Sequence, residues 1–105
     1  IQEMEKVKIL RYENGGKYKW HTDCGAKETS TRKLTAIVQL SDETKYEGGS
    51  LEFGITDKSG KNNYTAPRTR GSITIFPAFL SHRVTPITKG RRYSLITWML
   101  GDCFV

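Results

Sequence analysis

Residues 72–100 read SITIFPAFLSHRVTPITKGRRYSLITWML, and the fold is decided in this stretch. Ser72–Phe76 is rich in β-branched and aromatic residues, and Pro77, which cannot donate to a ladder, ends it. His82–Ile87 reads as a second strand, closed by the turn residues Thr88-Lys89-Gly90. Arg92–Leu100 is the last and longest strand, and its alternation puts Arg92, Ser94, Ile96 and Trp98 on one face. Strand, stop, strand, turn, strand is the grammar of an antiparallel β protein.

The same grammar runs back to the start of the chain. Lys6–Tyr12 is β-rich and ends at the turn Glu13-Asn14-Gly15-Gly16; aromatic residues resume over Lys17–Thr22, and Asp23–Arg32 is a polar loop. Leu34–Leu40 is a strand with Thr35, Ile37 and Gln39 on one face. Ser41–Gly49 is polar, Ser50–Ile55 is a strand, Asp57–Asn63 a turn, and Tyr64-Thr65 a short strand that Pro67 closes. No segment keeps a helical period. About eight short strands between Gly, Pro and Asn turns predict an all-β sandwich or barrel. With 105 residues and no repeat or linker, residues 1–105 read as one domain. The chain opens on Ile1 instead of Met, which reads as a piece of a longer protein.

Composition narrows the function classes. No apolar run approaches the roughly 18–20 residues of a membrane span, and the polar start Ile1–Lys6 is no signal peptide, so no membrane partner is expected. The net charge of +6 invites a polyanion, but the basic residues are scattered, with tight groups only at Arg32-Lys33 and Lys89–Arg92. A solvated basic face is the simpler reading, with nucleic acid the lesser candidate. Cys24 and Cys103 are too few for a disulfide framework and fit no zinc spacing; Cys24 reads as a small filler residue, and the expected setting is reducing and cytoplasmic. Nothing in the sequence sets an oligomeric state.

Both histidines of the chain stand where chemistry is expected. His21-Thr22-Asp23 is an H-x-D pair, and in a strand the first and third residues share a face, so an imidazole and a carboxylate can meet one metal ion. His82 follows 59 positions after Asp23, beyond a strand stopped by proline. Two histidines and one carboxylate are the facial set that leaves open positions on non-haem Fe(II). Taken alone, the pair is also compatible with a strand-end histidine beside a solvated aspartate.

The surrounding residues resemble a family. Tyr12-Glu13-Asn14-Gly15-Gly16-Lys17-Tyr18-Lys19-Trp20-His21-Thr22-Asp23 resembles the Y-x-x-G-x-x-Y-x-x-H-x-D region of prolyl-4-hydroxylase-like 2-oxoglutarate oxygenases. Glu47-Gly48-Gly49-Ser50-Leu51-Glu52-Phe53 is similar to their GG-x-L-x-F strand, and Gly71–Pro77 to the strand before the second metal histidine. His82-Arg83-Val84-Thr85-Pro86-Ile87-Thr88-Lys89-Gly90-Arg91-Arg92 resembles a block of the bacterial PKHD-type hydroxylases, with Ile87 where they carry Val. The motifs fall in the family's order over residues 12–92, and the last block is the most specific.

The resemblance implies a double-stranded β-helix (jelly roll). It implies Fe(II) on His21, Asp23 and His82, and 2-oxoglutarate anchored through its distal carboxylate by Arg92, with Arg91 on the opposite face of the strand. A buried dicarboxylate needs a cation, and a guanidinium pairs with it bidentately; the formal charges of iron, Asp23, 2-oxoglutarate and Arg92 then cancel. Tyr12 and Gln39 are further candidates for the co-substrate pocket, each equally readable as interior packing. Tyr18 and Trp20 read as packing, and Gly48-Gly49 as a turn. O2 is the second co-substrate and ascorbate a candidate accessory reductant. The implied reaction is hydroxylation of an unactivated C–H bond, foremost of a peptidyl proline, with release of succinate and CO2. Two rivals stand beside it. One is oxidative demethylation of alkylated nucleic acid, which the charge suits; that family carries a second, substrate-side arginine after the co-substrate one, whereas Arg92 is the last arginine here. The other is a non-catalytic jelly-roll binding module, which needs neither iron nor 2-oxoglutarate. Members of the family also carry helices ahead of the core that pack on the outer sheet, and only about a dozen residues precede Tyr12.

Overall fold

The computed structural model describes residues 3–25, 31–54 and 64–101. In chain order the strands are β1 (Glu3–Met4), β2 (Lys8–Glu13), β3 (Tyr18–His21), β4 (Arg32–Gln39), β5 (Tyr46–Gly48), β6 (Leu51–Phe53), β7 (Tyr64–Thr65), β8 (Ile73–Pro77), β9 (His82–Val84) and β10 (Ile87–Leu100); one 3-10 turn, Glu43–Lys45, precedes β5. The larger sheet has the order β1-β10-β4-β8, with β2 and β5 also paired to β10, and the smaller sheet has the order β3-β9-β6-β7. Every pairing is antiparallel. Two such sheets face to face form the jelly roll expected from the sequence.

Alternation sorts each strand between core and surface. On β4, Thr35, Ile37 and Gln39 are buried while Leu34, Ala36 and Val38 are not; on β10, Arg92, Ser94, Ile96 and Trp98 point inward. From the smaller sheet Leu51, Phe53, His82 and Val84 meet them, with Phe53 edge-on to Phe76 at 4.8 Å. The outward face of the larger sheet is also apolar. Ile73, Val38, Leu95 and Ile9 stand opposite one another across four strands, and Ile9 and Ile73 are 67% and 62% exposed, too open for core residues.

The structure has ten strands among its described residues where the sequence suggested about eight. The additional β1 and β5 have two and three residues, and each exists by pairing with β10. Thr88-Lys89-Gly90 is not a chain reversal: β10 runs through it with a register shift between Ile87 and Lys89. The expected His82–Ile87 strand accordingly ends at Val84. Gly90 has φ +75°, and a Cβ there would strike the Lys45 carbonyl oxygen. Glycine at this point lets the β5 backbone close on β10. The expected Asp57–Asn63 turn and the end of the Ser50–Ile55 strand lie outside the described residues. Among the described residues no helix is long and apolar enough to cross a membrane.

Candidate active site

His21 closes β3 and His82 opens β9, and the two are paired directly across the ladder. Pairing across adjacent strands puts both rings on the inner face, with centroids 4.2 Å apart. Asp23 arrives differently from the sequence expectation. β3 ends at His21, so Asp23 is not on the same strand face; it lies in the following loop. Its amide and that of Cys24 both donate to the Ala78 carbonyl, at 2.8 and 3.0 Å, and this ties the loop to the β8–β9 turn.

The outcome is a compact cluster. Ligand atoms of His21, Asp23 and His82 all lie within 4.8 Å of one another. His21 Nε2 is 3.3 Å from Asp23 Oδ1, and His82 Nε2 is 3.4 Å from Asp23 Oδ2. The opposite ring nitrogens are committed to backbone: His21 Nδ1 to Lys19 O at 2.6 Å, His82 Nδ1 to Leu80 O at 2.9 Å. Those contacts turn both Nε2 atoms toward the carboxylate, the outer-shell device that orients metal-binding imidazoles. Thr35 Oγ1 donates to Asp23 Oδ2 at 2.7 Å, a role its place on the inner face of β4 left unassigned. Burial by itself would raise the Asp23 carboxyl, but hydrogen bonds from His21, His82 and Thr35 outweigh it and hold the group well below the usual carboxylate range. For His21, burial pulls down, while Asp23 and the Lys19 carbonyl prevail and raise it. Tyr18 stacks on the His21 ring at 3.8 Å and Phe76 meets His82 edge-on at 4.7 Å, so rings brace both imidazoles. Two imidazoles around an ionised, buried carboxylate are the donor set a non-haem Fe(II) ion takes.

Deeper in the sandwich Arg92 is 1% exposed, whereas the Arg91 side chain is 64% exposed and pairs with Glu13 at 2.7 Å. The Nε and Nη2 atoms of Arg92 are buried with no protein partner. A buried cation with idle donors fits an anionic ligand. Burial pushes the Arg92 guanidinium down from its ordinary value, and Tyr46 and Tyr12 beside it act in the opposite direction. Gly49, at φ +62°, is the near wall: a Cβ there would lie 3.2 Å from Arg92 Cδ and would strike Ile87 Cδ1. The Tyr12 ring stands 5.3 Å from the guanidinium, and burial pushes its phenol up against the opposing pull of Arg92, so it is a neutral donor. Gln39 is buried opposite Ser94, with its Oε1 unpartnered.

One cavity of about 160 Å³ joins these parts, lined by His21, Asp23, His82, Tyr12 and Arg92, with Ile37, Leu51, Val84, Ile96 and Trp98 as its apolar walls. Gln39 is not among its lining residues. Tyr18 and Lys8 also line it, so Tyr18, read from the sequence as packing, borders the site. Trp20 lies outside this cavity, its ring 4.7 Å from the Arg83 guanidinium. Tyr46, buried beside Arg92 with an unpartnered hydroxyl, was not singled out in the sequence because it falls in a polar run that reads as loop. Cys24 is disulfide-bonded, where a reduced filler residue was expected, so the cysteines no longer argue for a reducing compartment.

Two histidines and a carboxylate grouped inside a jelly roll are the donor set of the facial-triad metal proteins, and a buried arginine shares their cavity. The chain belongs to the 2OG-Fe(II) oxygenase superfamily, whose family model matches residues 7–100. It is 30% identical over 99 residues to a PKHD-type hydroxylase of Synechococcus sp. (strain CC9605), covering 94% of this chain and 43% of that protein. The chain thus spans less than half the length of that relative. Among solved structures, a Pseudomonas putida prolyl-4-hydroxylase superposes with a TM-score of 0.75 at 23% identity, over 90% of this chain and 51% of that one. A Trichoplax adhaerens prolyl hydroxylase, in complex with a hypoxia inducible factor peptide fragment, superposes with a TM-score of 0.76 at 17% identity, over 92% of this chain and 44% of that one. At these identities the two structures speak for the fold.

Proposed function

We propose that this chain is the catalytic core of an Fe(II)- and 2-oxoglutarate-dependent dioxygenase that hydroxylates a C–H bond of a peptidyl proline. The observation that carries the reading is the shared cavity: His21, Asp23 and His82 line the same apolar pocket as Arg92. In this reading His21, Asp23 and His82 hold the metal, and Arg92 holds the distal carboxylate of 2-oxoglutarate. Tyr12 donates its hydroxyl within the co-substrate pocket, and Gln39, buried on β4 opposite Ser94, has its Oε1 free to accept from a ligand group or water. Iron held there would, with 2-oxoglutarate and O2, supply the oxidising power for the hydroxylation, with succinate and CO2 as the co-products. The protein's own part is placement and exclusion. Thr35 fixes the carboxylate, the backbone carbonyls of Lys19 and Leu80 fix the imidazoles, and Ile37, Leu51, Val84 and Ile96 keep water from the reacting centre.

Peptide is favoured as substrate because the family motifs are those of PKHD-type and prolyl hydroxylases, and because one structural neighbour is a prolyl hydroxylase holding a peptide fragment. The net charge of +6 favours a polyanion instead, but that attraction is screened by salt and says little about the reaction. The test is succinate release from the Fe(II)-loaded protein with a Pro-rich peptide, a methylated oligonucleotide, or neither. A gain of one oxygen atom on the peptide by mass spectrometry is expected. Stimulation by the oligonucleotide alone would transfer the reading to nucleic-acid demethylation. A protein that binds neither metal nor 2-oxoglutarate by calorimetry would be a binding module.

A further inference from the structure

Three buried polar atoms have no protein partner at the arginine that lines the cavity and at the tyrosine beside it: Arg92 Nε, Arg92 Nη2 and the Tyr46 hydroxyl oxygen. Arg92 is explained by an anionic ligand; Tyr46 is not. Burying a phenol hydroxyl without a partner costs free energy, and Tyr46 is only 3% exposed. Its place is set by pairing. Tyr46 is opposite Gly90 on β10, and Arg92 is two residues further along that strand, the diagonal neighbour that a long side chain reaches. A Cβ on Gly90 would strike the Lys45 carbonyl oxygen and crowd the Tyr46 backbone, so glycine there is what lets Tyr46 pair this closely with β10. The hydroxyl is close enough to Arg92 to favour its charged form, yet it completes no well-aligned hydrogen bond.

The far side of Tyr46 is fixed by a second arginine. The Arg68 guanidinium lies 4.5 Å from the Tyr46 ring centroid, and its Nη1 donates to Gly48 O at 2.8 Å and to Ser50 Oγ at 2.9 Å. Arg68 is thus tied to the Gly48–Ser50 backbone turn and clamps the ring. A clamped ring carries a hydroxyl of fixed position, and a fixed acceptor beside a flexible guanidinium decides which way that guanidinium points.

We propose that Tyr46 is a positioning residue for Arg92: its hydroxyl accepts a hydrogen bond from the guanidinium when a dicarboxylate enters, and so aims the remaining donors at the distal carboxylate. This rests on the reading of Arg92 as the co-substrate anchor. Tyr46 touches neither metal nor reacting atoms, so it acts on affinity for one end of the ligand.

The test uses the Mn(II)-loaded protein and calorimetric titration with two 2-oxo acids. One is 2-oxoglutarate; the other is 2-oxopentanoate, which lacks the distal carboxylate. Tyr46→Phe keeps the ring and its Arg68 contact and removes only the hydroxyl. It should weaken 2-oxoglutarate by about fivefold, the worth of one ordinary hydrogen bond, and leave 2-oxopentanoate unchanged, which also reports an intact metal site and fold. In an Arg92→Ala background the same substitution should have no further effect. Unchanged 2-oxoglutarate affinity in Tyr46→Phe, or equal weakening of both ligands, overturns the proposal. If Arg92→Ala itself fails to separate the two ligands, it is the anchor reading that falls.

Discussion

At the metal end of the cavity the polar groups already hold one another. Asp23 sits between two imidazoles and receives the Thr35 hydroxyl, and each imidazole is braced from behind by a carbonyl oxygen. Around Arg92 the opposite holds: Arg92 itself and Tyr46 beside it present buried atoms without protein partners, as does Gln39 on the neighbouring strand β4. One end is organised by the protein's own groups, and in the proposed function the other is completed by the co-substrate. Under the proposed function the difference follows from what each end would bind. A metal ion needs several donors fixed in advance, because a preformed geometry excludes the wrong coordination. A dicarboxylate carries its own acceptors, so the protein need supply only a cation and donors left idle until it binds.

Substitutions should therefore behave differently at the two ends. The largest effect is expected from Asp23→Ala or His82→Ala. Outer-shell partners alone are worth 10–100-fold in metal affinity, so loss of a ligand should cost more than about a hundredfold. Mn(II) calorimetry measures this. In the parent protein, Mn(II) at a hundred times its Kd should add about 2.7 kcal/mol of stability, reversed by a chelator, and neither variant should show the gain. A His82→Ala protein that binds metal as tightly as the parent would refute the triad.

Next comes the idle end. Arg92→Ala should raise the Kd for 2-oxoglutarate by on the order of tenfold or more, with metal affinity unchanged, since a charge-assisted pair is lost. Arg91→Ala, at an exposed residue paired with Glu13, should leave co-substrate binding near the parent value. Equal losses from the two would show that the strand faces are wrongly assigned. The smallest effect is expected from Thr35→Val, which keeps shape and removes the hydroxyl that meets Asp23 at 2.7 Å. Metal affinity should fall by roughly tenfold, the low end for an outer-shell partner, while co-substrate affinity at saturating metal stays put. A drop in the latter would mean the two ends are coupled.

These positions were not equally legible in the sequence. His21 and Asp23 announce themselves as an H-x-D pair, although the assumed cause, one shared strand face, is replaced by a loop pinned to Ala78. Arg92 was separable from Arg91 because alternation is enforced wherever one face of a strand is buried. Tyr46 was hidden because β5 is only three residues long and a single strand-favouring residue in a polar run gives no pattern; the strand is induced by the partner it meets. Gly90 misled for a related reason. Positive φ is needed both to reverse a chain and to let another backbone approach, and a single sequence does not distinguish the two uses. The apolar outward row of Ile73, Val38, Leu95 and Ile9 was written in the alternation as plainly as the core, but which of two apolar faces is enclosed depends on the second sheet.

β10 has one more consequence, in the order in which the molecule comes apart. From Ser94 to Ile96 it is hydrogen-bonded to β2 on one side and to β4 on the other, and its ends hold β1 and β5. β3, which carries His21, pairs only with β9 among the described residues, through a ladder broken between Tyr18 and His21. Amide hydrogen exchange should therefore be slowest along β10 and much faster along β3. Arg92 is borne by the part of the chain expected to open last, and His21, one of the proposed metal ligands, by a part expected to open early. On progressive loosening, the proposed metal site should be lost while the cationic pocket is still standing.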